Sequence, residues 1–237
     1  SWLKPHHSPN DPTPMPADFP ITSVPLFSHL DEEEAASISR ATRERAYPKN
    51  SVIVFEDDPG DAVFVVKSGQ VKVVLIGEDG REVILSVLGE GNFFGEMSLI
   101  DDQPRSAHVI AMEDSKLLVL YREDFHRCLE RTPRIALGLL QALSRRLRNA
   151  DDKIGGLVLL DVPGRIARLL LELADEGNGK VISRNITHHT LAQMIGSSRE
   201  TVSRTIRTFT DKGWVTVSKQ AIEITDRSAL ESLAGVT

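Results

Sequence analysis

The stretch 187–214, THHTLAQMIGSSRETVSRTIRTFTDKGW, has the spacing of two short helices joined by a tight turn. Thr187 is placed to cap the first helix, Gly196 falls in the turn, and Ser197 or Ser198 can cap the second. Gly213 supplies a stop after the second helix. At about 100° per residue, Val202, Ile206 and Phe209 share one face of that second helix, while Arg199, Glu200, Ser203, Arg204 and Arg207 share another. One face can pack. The other presents long cationic donors and a single carboxylate.

Such a polar face suits the major groove of DNA, where a guanidinium pairs with guanine O6 and N7 and a carboxylate accepts from cytosine N4. A charged helix face is as common on an ordinary solvated surface, so the charge distribution has to decide. Residues 178–219 hold seven Lys/Arg against two Asp/Glu, a balance of +5, whereas the whole chain is −6 and the remainder therefore −11. Basic charge gathered at one place in an acidic protein is the footprint expected for phosphate contacts. The candidate DNA-contacting set is Arg199, Glu200, Arg204, Ser198, Thr187, Ser203 and Arg207. His188 and His189, at the start of the first helix, are read as meeting phosphates or solvent.

A length of 237 residues allows two modest domains, each with its own core. Hydrophobic content of 41% and charged content of 26% are ordinary for a globular protein. No run approaches 18 apolar residues, so no membrane span is expected. The start of the sequence lacks a charged-then-apolar signal pattern, which points to the cytoplasm. A single cysteine, Cys128, excludes internal disulfides and a four-cysteine iron–sulfur cluster, and is assigned to packing on a helix. No metal site is expected.

Residues 1–20, rich in Pro and polar side chains, are read as a disordered arm, and the His6-His7 pair in it is weak evidence for a metal. A short helix is expected within 25–45, capped by Asp31. From 46 to 120, apolar runs (VIVF, AVFVV, VKVVLI, EVILSVL, HVIAM, KLLVL) alternate with Gly- and Asp-rich turns, the pattern of an antiparallel sandwich or barrel. Gly77-Glu78-Asp79-Gly80 makes a good hairpin tip. Residues 121–161 read as helix, in which Leu140, Leu143, Leu147, Ala150, Ile154 and Leu157 follow a 3-4 spacing. That is a coiled-coil seam, and a parallel homodimer would pair two reading helices on a palindromic site. The alternative is a helix packed on its own β domain. Gly155-Gly156 would weaken the helix near its end, forming a hinge. Another helix over 161–177, with Asp161 as cap and Pro163 in its first turn, precedes the two-helix unit; WVTVSKQAIEIT follows it as a small β wing.

Inside the β region, Gly95-Glu96 is followed at a distance by Arg105-Ser106, with a polar turn between. Glycine permits close backbone approach, Arg105 is a forked donor for a phosphate, Ser106 adds a hydroxyl, and Glu96 can accept from a sugar hydroxyl. A small phosphorylated sugar would fit. An Arg105–Glu96 ion pair closing a loop would fit as well.

The order of β-roll, GE…PRSA cassette, long helix, LLDVPGRIARLLLELA and SRETVSR-containing helix-turn-helix resembles the CRP/FNR family of bacterial transcription factors, across residues 25–225. The resemblance implies an α+β fold: an N-terminal antiparallel β-roll of the cyclic-nucleotide-binding jelly-roll kind, a long dimerisation helix and a C-terminal winged helix-turn-helix. Its expected divisions are an arm at 1–20, the roll at 21–130, the helix at 131–160 and the DNA-binding domain at 161–237. It further implies a homodimer on double-stranded DNA that contacts RNA polymerase, with Arg199, Glu200 and Arg204 reading a half-site containing GTG. Gly95, Glu96, Arg105 and Ser106 would hold a ribose and cyclic phosphate. Thr205 stands where the family places an aliphatic residue.

A larger departure lies on the long helix, where Ala150 and Asp151 replace the adjacent Thr and Ser with which the cyclic-AMP receptor protein reads adenine. Alanine offers no hydrogen bond, and an ionised Asp151 accepts without donating, which suits guanine better than adenine. Three readings stay open: cyclic AMP held loosely, a guanine nucleotide such as cyclic GMP or cyclic di-GMP, or no ligand. An aliphatic Ala150 completing the seam favours weak or absent cyclic-AMP dependence. The iron–sulfur and haem sensors of the family are not expected, since the cysteine cluster is missing and no histidine is marked as an axial ligand. A competing class is a regulatory nucleotide-binding subunit acting through protein contacts. An enzyme is not expected, because the sequence holds no metal-ligand spacing, nucleophile elbow or phosphate-transfer loop.

Overall fold

The computed structural model describes residues 19–175, 181–182, 186–218 and 221–235. Nearly all of the expected arm, with His6 and His7, lies outside them. Phe19, which the sequence put in that arm, is buried in a core with Ile21, Val24 and Phe27. The chain divides into two compact units, residues 1–73 with 87–143, and residues 74–86 with 144–237.

In the first unit α1 (Glu32–Ala41) starts at Asp31, whose carboxylate accepts from Glu34 N while Glu34 reaches back to Asp31 N, a capping box that satisfies two otherwise orphaned amides. Eight strands follow: β1 (Arg43–Tyr47), β2 (Val52–Val54), β3 (Ala62–Ser68), β4 (Val71–Ile76), β5 (Glu82–Leu88), β6 (Phe93–Phe94), β7 (His108–Ala111) and β8 (Ser115–Tyr121). They form two four-stranded sheets ordered β1-β8-β3-β6 and β2-β7-β4-β5. The pairs β1·β8, β3·β8, β3·β6 and β2·β7 are antiparallel.

The central strands explain the continuous apolar runs. In β3, Val63 and Val65 enter the core shared with the helices, while Ala62, Phe64 and Val66 enter a second core with Val54, Val71, Leu88 and Val109. β8 alternates in the same way, Leu118 and Leu120 on one side, Leu117 and Val119 on the other. Successive side chains of a strand point to opposite faces, so a strand covered on both sides is apolar at every position. β1 reads RERAY and β6 only FF, so neither carries that signal, and the sequence did not reveal them.

Residues 121–161 form two helices. α3 (Arg122–Arg131) ends at Thr132, held at φ −132°, and α4 (Pro133–Leu159) begins at Pro133. Proline lacks an N–H and its ring disfavours the helical conformation for the residue before it, which breaks the helix at that junction. α4 then runs without interruption through Gly155 and Gly156 to Leu159, so the expected weak point is helical. A short α2 (Met97–Ile100) lies between β6 and β7, and Cys128 of α3 packs half-buried against the first core, as its assignment to helix packing required.

The second unit is built on α5 (Val162–Asp175), α6 (His188–Ile195), α7 (Arg199–Asp211) and α8 (Arg227–Ala234), with β9 (Val181–Ile182), β10 (Val215–Val217) and β11 (Ile222–Ile224) in the order β10-β11-β9. Asp161 accepts from Gly164 N at the start of α5, with Pro163 in the first turn as expected. Ile166, Leu170, Leu191, Val202, Ile206, Phe209, Val215 and Leu230 form one core. Arg227 of α8 makes a two-pronged bond to both carboxylate oxygens of Asp175, at 2.7 and 2.8 Å, tying α8 to the end of α5. The outer half of the β4–β5 hairpin belongs to this unit: Lys153 Nζ donates to Leu85 O (2.6 Å) and Gln193 Nε2 to Glu82 Oε2 (2.9 Å). Among the described residues no helix is long and apolar enough to cross a membrane.

Candidate nucleic-acid interface

The two-helix unit is built as its capping residues require. Thr187 Oγ1 accepts from Thr190 N at the start of α6, and Ser198, not Ser197, accepts from Thr201 N at the start of α7. Between them Gly196 sits at φ +64°, ψ +47°, the left-handed conformation that ends a helix and that glycine adopts without steric cost. Gly213 repeats the device after α7 at φ +74°.

α7 divides into the two faces read from its spacing. Val202, Ile206 and Phe209 are buried, and Phe209 lies against Trp214 with ring centroids 5.5 Å apart. Arg199, Glu200, Arg204 and Arg207 are exposed. Thr205 is buried with the packing face, in keeping with its place in the helix core. Glu200's own backbone N–H and then the Ser198 hydroxyl hold its carboxyl below the usual carboxylate range, so it stays an ionised acceptor at neutral pH. Ser203 departs from this exposed set. It is half-buried, and its Oγ lies 2.9 Å from Nδ1 of His188 on α6. No local pattern marks that bond beforehand, because it joins positions fifteen residues apart.

The cassette in the first unit gathers Gly95, Glu96 and Arg105. Arg105 is 5% exposed, and its Nη1 donates to Gly95 O (2.6 Å) and its Nη2 to Ala62 O (2.8 Å). Asp61 approaches Nη2 at 3.8 Å, and the guanidinium lies 5.9 Å from the Phe64 ring centroid. Burial pulls the Arg105 guanidinium below its ordinary value, partly offset by the charges of Asp61 and then Glu96. Glu96 is 1% exposed, and Ser106 is exposed. A buried cation, a buried carboxylate and an open hydroxyl fit a phosphorylated sugar, and two of the guanidinium's five N–H donors are given to backbone carbonyls. Asp151 is exposed on α4, in the second unit.

Gly95 is fixed by space as well as by conformation. At φ +87° a Cβ would lie 2.6 Å from Arg105 Nη1 and 2.9 Å from Ala62 O. Gly95→Ala is expected to lower the stability of the first unit by about 1–3 kcal/mol, measured by urea denaturation. An unchanged midpoint would mean that the loop relaxes freely.

On α4 the predicted seam is mostly uncovered within one chain. Leu140, Leu147, Ile154 and Leu157 are 64%, 63%, 60% and 56% exposed, and Ala150 is exposed. Leu143 is the exception: it is half-buried against the chain's own core near Leu139 and Ala142. Among the described residues no cluster of His, Cys, Asp and Glu is arranged to hold a metal ion.

Residues 44–132 match the cyclic nucleotide-binding domain, and residues 164–233 match the Crp-like helix-turn-helix domain. The cyclic AMP receptor protein of Thermus thermophilus is 38% identical over 210 residues, 89% of this chain and 96% of that protein. The CRP-like cAMP-activated global transcriptional regulator of Mycobacterium tuberculosis is 30% identical over 210 residues, 86% of this chain and 94% of that protein. Among solved structures, the c-di-GMP responsive global regulator CLP of Xanthomonas campestris aligns with a TM-score of 0.71 at 25% identity, covering 82% of this chain and 99% of that one. With both domains matched in this order and relatives aligned over nearly their whole length, the chain belongs to the CRP/FNR family of transcription regulators.

Proposed function

We propose that the protein acts as a homodimer on palindromic DNA with GTG-containing half-sites, and that its dependence on a cyclic nucleotide is weak. The observation that carries the DNA reading is the division of α7: Val202, Ile206 and Phe209 buried, Arg199, Glu200, Arg204 and Arg207 exposed. Arg199 and Arg204 present forks to guanine, the ionised Glu200 accepts from cytosine N4, and Arg207, Ser198 and Thr187 lie toward the backbone. In this reading residues 21–130 form the effector-type domain, 131–160 the dimerisation helix and 161–237 the DNA-binding domain, with RNA polymerase as the further partner.

Dimerisation is supported by the uncovered apolar row on α4, since a monomer would leave four large aliphatic side chains in water. The effector reading is supported from two sides. Ala150 offers a base no hydrogen bond, and the guanidinium of Arg105 is already held by the carbonyls of Gly95 and Ala62. The relatives themselves are named for different nucleotides, cyclic AMP and cyclic di-GMP. Should a nucleotide bind, Gly95, Glu96, Arg105 and Ser106 would hold its sugar and phosphate, and Asp151 would favour guanine.

The test is fluorescence anisotropy on a palindromic GTG-containing duplex and on a scrambled one at fixed salt, without ligand and then with cyclic AMP, cyclic GMP or cyclic di-GMP. Tight, selective binding that no nucleotide alters supports the proposal, and a large shift with one nucleotide refutes its effector part. Arg204→Ala is expected to cost about 1–3 kcal/mol on the specific duplex and to relax one base preference. Equal wild-type affinity for the two duplexes would remove the claim of sequence reading.

A further inference from the structure

We infer that Arg168 is a positioning residue for DNA binding: it fixes the corner between the seam helix α4 and α5, and so sets the half-site spacing that a dimer accepts. The inference rests on the reading above of a homodimer on a two-fold DNA site. From the second turn of α5 the half-buried guanidinium spans two other helices. Its Nη1 donates to Asp152 O of α4 at 3.3 Å, and its Nη2 to Ala234 O of α8 at 3.0 Å. All three positions belong to the second unit.

Each partner lacks something that the fork supplies. The last carbonyls of a helix have no intrahelical donor and carry the negative end of its dipole, and Ala234 is the last residue of α8. Asp152 lies one turn ahead of Gly155-Gly156, where two glycines in succession lower the intrinsic stability of α4. Gly156 is buried, and a Cβ on it would lie 3.4 Å from Arg168 Nη1, so the guanidinium crosses α4 over the bare face of this glycine. Packing closes the same corner. A Cβ on Gly164 would lie 3.0 Å from Leu233 O and 3.3 Å from Leu160 Cβ, and one on Gly235 would lie 3.7 Å from Leu160 Cδ2. The end of α8 therefore sits against Leu160, in the two-residue link between α4 and α5.

Hydrogen bonds and packing at one corner hold the angle between α4 and α5 to a narrow range. In a dimer paired along Leu147, Ile154 and Leu157, that angle fixes how far apart and how rotated the two copies of α7 lie. Each added base pair moves a half-site by about 3.4 Å along the DNA and about 35° around it. A stiff corner accepts one spacing, and a loose corner accepts several. Arg227 supplies the contrast, because its bonds run to Asp175, the last residue of α5, and to Glu231 of α8.

The experiment measures anisotropy of the full chain at fixed salt on a palindromic GTG-containing duplex, on versions lengthened at the centre by one and two base pairs, and on a single half-site. Wild type is expected to prefer one spacing by about tenfold or more, since the second contact is intramolecular only where the spacing fits. Arg168→Met keeps the apolar stem and removes both donors. It should narrow that preference to about threefold or less while half-site affinity stays within about twofold, a split that general damage to the DNA-binding core would not produce. Gly156→Leu builds a side chain into the path of the guanidinium and should have the same effect with Arg168 intact. It keeps the test decisive if Arg168→Met unfolds by circular dichroism. Arg227→Ala should keep the wild-type preference. An undiminished preference in Arg168→Met, an equal loss of affinity on half-site and full duplex, or a lost preference in Arg227→Ala overturns the inference while leaving two-fold binding intact. Equal wild-type affinity for every spacing overturns the pairing of reading helices, and no binding to any duplex overturns the DNA-binding reading; this inference falls with either.

Discussion

Leu147→Asp is expected to convert the protein to monomers and to weaken binding to a two-fold DNA site by about a hundredfold or more. Leu147 lies in the middle of the apolar row, with Leu140 and Ala150 on either side, and is largely exposed in the single chain. A carboxylate there faces water in the monomer and costs its fold little. In a parallel pair the two carboxylates would meet across the seam, each losing hydration opposite a like charge. Separating the chains turns the second half-site contact from an intramolecular event at roughly millimolar effective concentration into an independent one, which removes about 10²–10⁴ in avidity. Light scattering reads the mass and anisotropy the affinity. An intact dimer would refute the seam, and monomers that keep full affinity would refute the pairing of reading helices.

Phe209→Ala has the largest expected effect on stability, about 3–5 kcal/mol. Phe209 is buried at the C-terminal end of α7, its ring lies beside Trp214, and its carbonyl accepts from Trp214 N, so it joins the reading helix to the first strand of the wing. Truncation leaves a cavity beneath α7 and loosens both elements together. Urea unfolding followed by tryptophan fluorescence should show an early transition, with DNA affinity falling alongside. An unchanged midpoint would mean that the neighbouring side chains collapse into the space.

These two substitutions differ in how visible their sites were beforehand. The packing face of α7 follows from the helical repeat, and burial of Val202, Ile206 and Phe209 confirms it. Leu143 has the same spacing as its neighbours in the seam, but α4 lies against the first core at that point and half-covers it. A heptad pattern states which residues share a stripe and leaves open what lies against each part of it.

The local chemistry of this chain was settled by its sequence. Caps at Asp31, Thr187 and Ser198, the left-handed Gly196, the apolar runs of β3 and β8 and the two faces of α7 depend on residues within a few positions of one another, where backbone geometry leaves few choices. The order of its two domains was legible for the same reason. Tertiary structure alone decided what Arg105 holds, that Ser203 is bonded to His188, and that the β4–β5 hairpin reaches Lys153 and Gln193. Each of those links joins residues ten to over a hundred positions apart. Side-chain type fixes what a donor is capable of, but only the folded chain brings one acceptor within 3 Å of it in place of another.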